Sequence, residues 1–576
     1  MEDYQMRYHQ WLEDPSIDEK TKAELKSIAE NELEIKERFY KELEFGTGGL
    51  RGIIGNGSNR LNAYTVGKAT QGLANYIKKE GTGAKGVAIA YDSRHMSPEF
   101  AERAALVLAG NGIPAYVYPS LRPTPMLSFA VRELGCTAGI VITASHNPPE
   151  YNGYKVYWAD GAQVVAPRDR DIIAQVNGVT EFGQICSMEK ADAVAKGLYR
   201  VIGGEIDALF DKNVLSQSLC PERIARMAEK LNIVYTSLHG SGNLPVRRVL
   251  EKAGFKRVFV VPEQELPDAD FTTVGYPNPE DPKVFTLAKK LAEEKNADVI
   301  VGTDPDCDRV GAVVKNNDGE YVVLTGNMIG ALLTEYILAR RQEQGKLPAD
   351  GVVIKTVVST ELIDPICNAY GVEKMDVLTG FKFIGEKIKE FEEQGGHTFL
   401  FGFEESYGCL AGTYARDKDA VVATLLICEM AAYYKEKGMT LYDALLALYE
   451  TYGYYREGVK AITLKGLEGV ERIARIMQTF RAHTPESFCG QKVVEARDYK
   501  NRIFRDMISG KESESPLPPS DMLYYTLEDG TWICIRPSGT EPKLKFYIGV
   551  KARTLKAAED TIAKLEEEID AQVEKI

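Results

Sequence analysis

What this sequence lacks narrows its role first. Its nine cysteines, at positions 136, 186, 220, 307, 367, 409, 428, 489 and 534, include no Cys-x-x-Cys pair and are odd in number. That usage argues against a disulfide framework or a cysteine zinc site and suits a reducing compartment. No block of lysine and arginine stands out, and 70 basic against 84 acidic residues leave a net charge of −14. Nucleic acid is therefore not an expected partner. The longest apolar stretch, Ala420 to Tyr434, is broken by Glu429 and is too short to span a bilayer. The start, Met-Glu-Asp-Tyr, has neither the basic residues nor the apolar run of a signal peptide. The expectation is a cytoplasmic protein with no membrane partner. A phosphorylated substrate would have to be met by local cations, loop by loop, against this acidic background.

At 576 residues the chain is too long for one core, and about 100 to 200 residues per domain predict three to five domains. Residues 1–44 read as a helical extension, with Ser16 and Glu19 spaced as a capping box. Residues 45–205, 206–325 and 326–455 then alternate short β-branched strands with amphipathic helices, three α/β units of similar length that suggest an internal repeat. From 456 to 576 the pattern changes to α+β: a helix, a polar proline-rich stretch to Pro519, and a hairpin-like pair at Trp532–Arg536 and Lys543–Val550. A last helix carries an apolar stripe of the kind that covers a sheet.

Several loops carry chemistry. A buried-strand pattern ending at Thr143 stops in Ala-Ser-His-Asn-Pro148, which places Ser145 beyond a strand's carboxyl end, where open α/β sheets bind ligands. With His146 beside it and Lys155 on the next extended stretch, Ser145 is a candidate nucleophile, and a self-capping turn is the plain alternative. Upstream, Phe45-Gly-Thr-Gly-Gly-Leu-Arg-Gly lacks the third glycine of a dinucleotide fingerprint and presents Arg51 instead, which suits an anion. In Gly302-Thr-Asp-Pro-Asp-Cys-Asp-Arg309, the carboxylates of Asp304, Asp306 and Asp308 crowd a tight loop and call for a cation. Arg309 and Lys315 stand where a calcium hand needs Gly and Glu, so magnesium fits better. Glu404 and Ser406, two residues apart after a strand, could face one way and hold vicinal hydroxyls, with Thr379-Gly380-Phe-Lys382 adding a cation. Arg536, Ser538, Gly539 and Thr540 combine a guanidinium fork, hydroxyls and open backbone N–H groups, which suits a phosphate.

Taken together and in order, Thr143-Ala-Ser-His-Asn-Pro148, Asp304-Pro-Asp-Cys-Asp-Arg309, Glu404-Glu-Ser406 and Arg536-Pro-Ser-Gly-Thr540 resemble the loops of the α-D-phosphohexomutase superfamily, over about residues 45 to 550. Glu-Glu-Ser and the preceding Phe403 resemble its phosphoglucomutase branch. The resemblance implies three related α/β domains with mixed sheets and a smaller α+β C-terminal domain around a central cleft. It implies a phosphorylated Ser145, magnesium held by Ser145 and the three aspartates, and Arg51, His146, Lys155 and Arg309 around the transferring group. It also implies that Thr379, Gly380, Lys382, Glu404 and Ser406 bind the sugar, and that Arg536, Ser538, Gly539 and Thr540 grip the distal phosphate. The expected reaction interconverts α-D-glucose 1-phosphate and glucose 6-phosphate through glucose 1,6-bisphosphate, which would also be an activator. Mannose or ribose phosphates are alternative substrates, a metal-dependent sugar phosphate phosphatase is a different class, and the oligomeric state, monomer or dimer, is open.

Overall fold

The computed structural model describes residues 2–46, 49–464, 466–538 and 543–576. Helices Asp3–Glu13, Glu19–Ser27 and Glu32–Phe39 open the chain and bury Tyr4, Tyr8, Trp11, Leu25 and Phe39 in a small core of their own. The second of them is capped by Asp18, which accepts from the Thr21 N–H at 2.8 Å. This corrects the expected Ser16–Glu19 box: Ser16 lies in the preceding turn, where its N–H donates to Asp14.

Among the described residues the chain forms four sheets. In the first, β1 (Gly49–Ile53), β2 (Val87–Tyr91), β3 (Ala115–Val117), β4 (Ala138–Ile142), β5 (Tyr151–Trp158) and β6 (Tyr199–Val201) are ordered β1-β5-β4-β2-β3-β6. The second orders β7 (Ile233–Thr236), β8 (Val258–Val260), β9 (Val299–Thr303), β10 (Val310–Lys315) and β11 (Tyr321–Leu324) as β11-β10-β9-β7-β8. The third orders β12 (Gly351–Thr356), β13 (Glu373–Val377), β14 (Thr398–Glu404) and β15 (Gly408–Leu410) as β13-β12-β14-β15.

All three share one kernel. A first strand has a parallel neighbour on each side, and the later neighbour turns back into an antiparallel partner: β3-β2-β4-β5, β8-β7-β9-β10 and β13-β12-β14-β15. Parallel pairing needs long crossovers, supplied by helices such as Ser97–Gly110, Asn243–Ala253 and Ile363–Tyr370. Helices on both faces leave the central strands dry, which is why β2, β4 and β9 are buried at every position and read as unbroken apolar runs. The repeat is one of topology rather than of residues.

The fourth sheet contains β16 (Tyr454–Thr463), β17 (Ser487–Phe488), β18 (Gln491–Asp498), β19 (Ile503–Asp506), β20 (Glu512–Glu514), β21 (Leu523–Leu527), β22 (Trp532–Pro537) and β23 (Lys543–Ala552). It is antiparallel, ordered β16-β23-β22-β21-β18-β19-β20, with β17 on β18. The polar stretch before Pro519 holds β17 to β20, whose largely polar, only partly buried residues give no apolar alternation to read. Helix Leu555–Glu574 lays Ala558, Leu565, Ile569 and Val573 against this sheet.

One apolar core runs from Ala88 and Met126 through Tyr235 and Val301 to Ile354, Phe401 and Leu425, so the first three units pack as one body. The fourth has its own core around Ile533, Phe546 and Leu565. It meets the third through a smaller cluster that sets Val357, Val358 and Leu378 against Tyr524, Trp532 and Tyr547.

A polar strut crosses the large core. Glu429, fully buried midway along helix Ala420–Glu436, accepts from the Leu219 N–H at 2.9 Å, the Cys220 N–H at 3.1 Å, the Tyr336 hydroxyl at 2.9 Å and the Ser218 hydroxyl. Buried donors left unpaired cost about 1 to 3 kcal/mol each. Glu429→Ala is therefore expected to cost about 3 kcal/mol or more and Glu429→Gln less, read as lowered midpoints of thermal or urea unfolding. Equal midpoints for both variants and the parent would rule the strut out.

Candidate active site

In each kernel the third strand ends in a short turn that leads to its antiparallel partner. The three turns hold Ser145, the loop Asp304 to Arg309, and Glu404 to Tyr407. Each contains one non-glycine residue in the left-handed region, Ser145 (φ 52°), Cys307 (φ 52°) and Tyr407 (φ 70°). Such conformations cost about 1 to 3 kcal/mol each and persist only where surrounding contacts fix them.

Ser145 is 3% exposed. Its hydroxyl donates to Asp304 Oδ2 at 2.7 Å and lies 3.2 Å from His146 Nδ1. Burial, helped by the charges of Arg309 and Arg51, pushes the His146 pKa well below the ordinary imidazole range. The ring of Tyr276 meets it edge-on at 6.0 Å. Arg51, on β1, donates to Asn147 Oδ1 at 3.0 Å. The antiparallel pairing of β1 with β5 places it opposite Gly153, two residues from Lys155. No side chain fits at 153, where a Cβ would lie 2.4 Å from the Thr143 carbonyl oxygen just past the end of β4 and 3.0 Å from that of Leu50 on β1.

Asp304, Asp306 and Asp308 are fully buried, and each offers a carboxylate oxygen within 4.8 Å of the others. Lys155 Nζ lies 2.9 Å from Asp306 Oδ2 and 3.8 Å from Asp308, and Lys418 Nζ lies 3.1 Å from Asp308 Oδ2. Arg309 donates to Glu280 at 2.8 Å, with its Nε 3.8 Å from Asp308. Burial and then mutual repulsion push the Asp304 carboxyl well up and Asp308 up. Burial also works against the charge on Asp306, but Lys155 and Lys418 hold its pKa below the usual range. Asp306 Oδ1 and Asp308 Oδ1 are buried without a hydrogen-bond partner. Orphaned hard oxygens in such a cluster fit a divalent ion, for which the three aspartates offer ligands.

Bonds between units fix the arrangement. Thr124, opening helix Thr124–Glu133, donates its N–H to the Asp306 carbonyl and its hydroxyl to Asp306 Oδ2, both at 2.9 Å. The Tyr157 hydroxyl donates to Asp417 at 2.6 Å, and the Val310 N–H donates to the Tyr407 carbonyl at 3.1 Å. Glu404 is 5% exposed and ends β14. Ser406 lies beyond the strand in the turn, so strand alternation does not make the two face one way, which corrects the sequence argument. Gly408 follows, where a Cβ would lie 2.2 Å from the side chain of Lys418.

The remaining expected residues lie further out. Thr379 and Gly380 precede helix Phe381–Gln394, with the Thr379 hydroxyl buried and unpartnered. Lys382 is in its first turn, its pKa lowered by burial, and the neighbouring Phe381 ring lies 5.9 Å from Lys418 Nζ. Arg536 is in β22 beside the third unit, where its charge and that of Glu405 both act on Cys534 and Tyr547. The Ser538 N–H donates to the Lys543 carbonyl at 2.7 Å. Gly539 and Thr540 lie outside the described residues.

Sequence reasoning missed Lys418, Asp417, Thr124, Asp92 and Arg94. The run Arg416-Asp-Lys-Asp419, set directly before an apolar helix, was the available signal for Lys418. Asp92-Ser-Arg94 carried another, because it too follows a buried strand's carboxyl end.

Four profiles of one family match the chain in order: phosphoglucomutase/phosphomannomutase alpha/beta/alpha domain I at 42–182, domain II at 212–319, domain III at 325–452, and the C-terminal domain at 470–568. The phosphoglucomutase of Staphylococcus aureus (strain MSSA476) is 37% identical over 532 residues, 91% of this chain and 92% of that protein. That of Staphylococcus saprophyticus is 36% identical over 520 residues, 90% and 92%. Among solved structures, the open form of the Paramecium phosphoglucomutase parafusin shares the fold, with a TM-score of 0.69 at 17% identity over 93% of this chain and 96% of that one.

If the aspartates hold an ion, magnesium at a hundred times its dissociation constant should stabilise the fold by about 2.7 kcal/mol, raising its melting midpoint. Asp306→Asn and Asp308→Asn should each abolish that rise. A rise that survives both substitutions would put the ion elsewhere.

Proposed function

The chain belongs to the phosphoglucomutase/phosphomannomutase family, and we propose that it interconverts α-D-glucose 1-phosphate and glucose 6-phosphate. The observation that carries this reading is the buried Ser145 hydroxyl, 2.7 Å from Asp304 and 3.2 Å from His146 Nδ1, beside the carboxylates of Asp306 and Asp308 and the cations Lys155, Arg309 and Lys418. In the working enzyme Ser145 carries a phosphoryl group. The group passes to the free hydroxyl of the bound sugar phosphate: the bond from phosphorus to Oγ breaks, a bond to the sugar oxygen forms, the hydroxyl proton goes to a neighbouring base, and Oγ takes up a proton as it leaves. The glucose 1,6-bisphosphate so formed turns over and returns its other phosphoryl to Oγ.

Arg51 and Arg309 neutralise the transferring group, while His146 and Lys155 share proton handling and charge stabilisation. Magnesium, held by Asp304, Asp306, Asp308 and the Ser145 oxygen, supplies Lewis-acid polarisation of the phosphoryl group when bound. Thr379, Gly380, Lys382, Glu404 and Ser406 hold the sugar, and Arg536, Ser538, Gly539 and Thr540 grip the phosphate that does not react. Binding energy from that remote phosphate is then available to orient the reacting end. Free glucose 1,6-bisphosphate is the activator, since it phosphorylates an empty Ser145. Nine free cysteines support a cytoplasmic setting.

The test is a coupled assay with magnesium and a trace of glucose 1,6-bisphosphate, on glucose, mannose and ribose 1-phosphates, with free phosphate monitored. Rapid conversion of the glucose ester without phosphate release is expected, with Ser145→Ala lowering kcat by at least about a thousandfold. Preference for ribose or mannose would replace the sugar assignment. Phosphate release without isomerisation would make the protein a phosphatase.

A further inference from the structure

Resting on that reaction, a second observation concerns how the nucleophile is held. From Ser145 to Tyr151, the first residue of β5, the chain contains Pro148 and Pro149 and is otherwise outside strand and helix, so its carbonyl oxygens need partners from elsewhere. The Glu150 carbonyl accepts from the Ile54 N–H, and four others meet one side chain. Arg94, 1% exposed, donates from Nη1 to the carbonyls of Pro148 (2.8 Å) and Tyr151 (3.0 Å), and from Nη2 to those of Ser145 (2.5 Å) and Asn147. Four carbonyls within seven residues thus converge on a single planar fork.

Asp92 orients that fork and completes the hold. Its Oδ2 lies 3.4 Å from Arg94 Nε, and its Oδ1 accepts from the Arg94 N–H at 3.0 Å and the Ser97 hydroxyl at 2.9 Å. The Thr143 hydroxyl donates to Asp92 Oδ2 at 2.6 Å and in turn accepts from the Ser145 N–H at 2.8 Å. Ser145 is therefore gripped at both ends of its backbone, its N–H through Thr143 and its carbonyl by Arg94, in a left-handed conformation it would not adopt unaided. The ring of Phe271, from the second unit, lies 5.0 Å from the guanidinium carbon. Next to it Asp270 bonds His95 at 2.7 Å. The clamp thereby fixes the serine loop relative to the unit that carries the aspartates.

We infer that Arg94, oriented by Asp92, is a positioning residue for phosphoryl transfer, holding Ser145 Oγ in register with the aspartate cluster without touching the reacting atoms. The requirement is for a fork and not merely for charge, because an ammonium is a point donor that cannot span carbonyls spread along the turn.

The test is Arg94→Lys in the full-length protein, assayed with magnesium and glucose 1,6-bisphosphate. Displacing a nucleophile by about 1 Å can cost about a hundredfold. We expect kcat to fall by about that factor, with KM for glucose 1-phosphate within about threefold of the parent. Labelling of Ser145 by the bisphosphate should slow in the same proportion, and the melting midpoint should hold within a few degrees. A kcat within about twofold of the parent would overturn the inference, and so would a loss shared between kcat and KM that tracks a lowered melting midpoint. If Arg94→Lys does not fold, Thr143→Val, which keeps the branched shape but releases the Ser145 N–H, carries the same expectation at about tenfold in kcat. An unchanged kcat there would overturn the inference. A parent protein inactive on every sugar phosphate would instead remove the proposed reaction, and this inference with it.

Discussion

Three carboxylates gathered inside a protein, away from water, repel one another and lose solvation at the same time. Asp304, Asp306 and Asp308 are in that position, and much of the surrounding structure answers it. Lys155 comes from the first unit, Arg309 from the loop itself and Lys418 from the third. Thr124 pins Asp306 from the first unit's helix. The cluster is thus satisfied only when all three units are docked, and the shared apolar core keeps them docked. Packing and electrostatics place each other.

The kernel explains why the chemistry falls where it does. In each unit, two parallel strands run to the same edge and the chain reverses there into an antiparallel partner. One non-glycine residue at each reversal is left-handed, and the candidate site residues lie at or beside it at the sheet edge. Three copies of that device face one another. The Arg309–Gly408 bridge and the bond from Val310 to Tyr407 join two of them directly.

What the sequence revealed follows from which forces are local. Buried strands such as Val87–Tyr91 and Val299–Thr303 are legible because both faces are dry. The aspartates are legible because three acids at alternate positions of a tight loop repel one another unless a cation sits among them. Lys418 was missed although its place before an apolar helix was a signal: a lysine inside Arg-Asp-Lys-Asp reads as surface, and its partner Asp308 lies more than a hundred residues earlier. Arg94 was missed for a similar reason, since most of its acceptors are backbone carbonyls, which have no signature in sequence. Strands β18 to β20 escaped because their charged, partly exposed faces lack apolar alternation. Glu404 and Ser406 were set on one face by a periodicity that stops where the strand does. The repeat shows in strand order rather than in residues because hydrogen-bond topology, not side-chain identity, is what the units share.

The partition of the apolar interior bears on how such a protein can diverge. The fourth unit has its own core and meets the third through a small apolar cluster, with Leu555 against the large core and Arg456 against Met328, so a substitution inside its own core is felt mainly within it. Residues of its interior can change while the aspartate cluster, the serine turn and their shared core stay as they are. One chain thus holds two regions whose interiors drift and are selected separately.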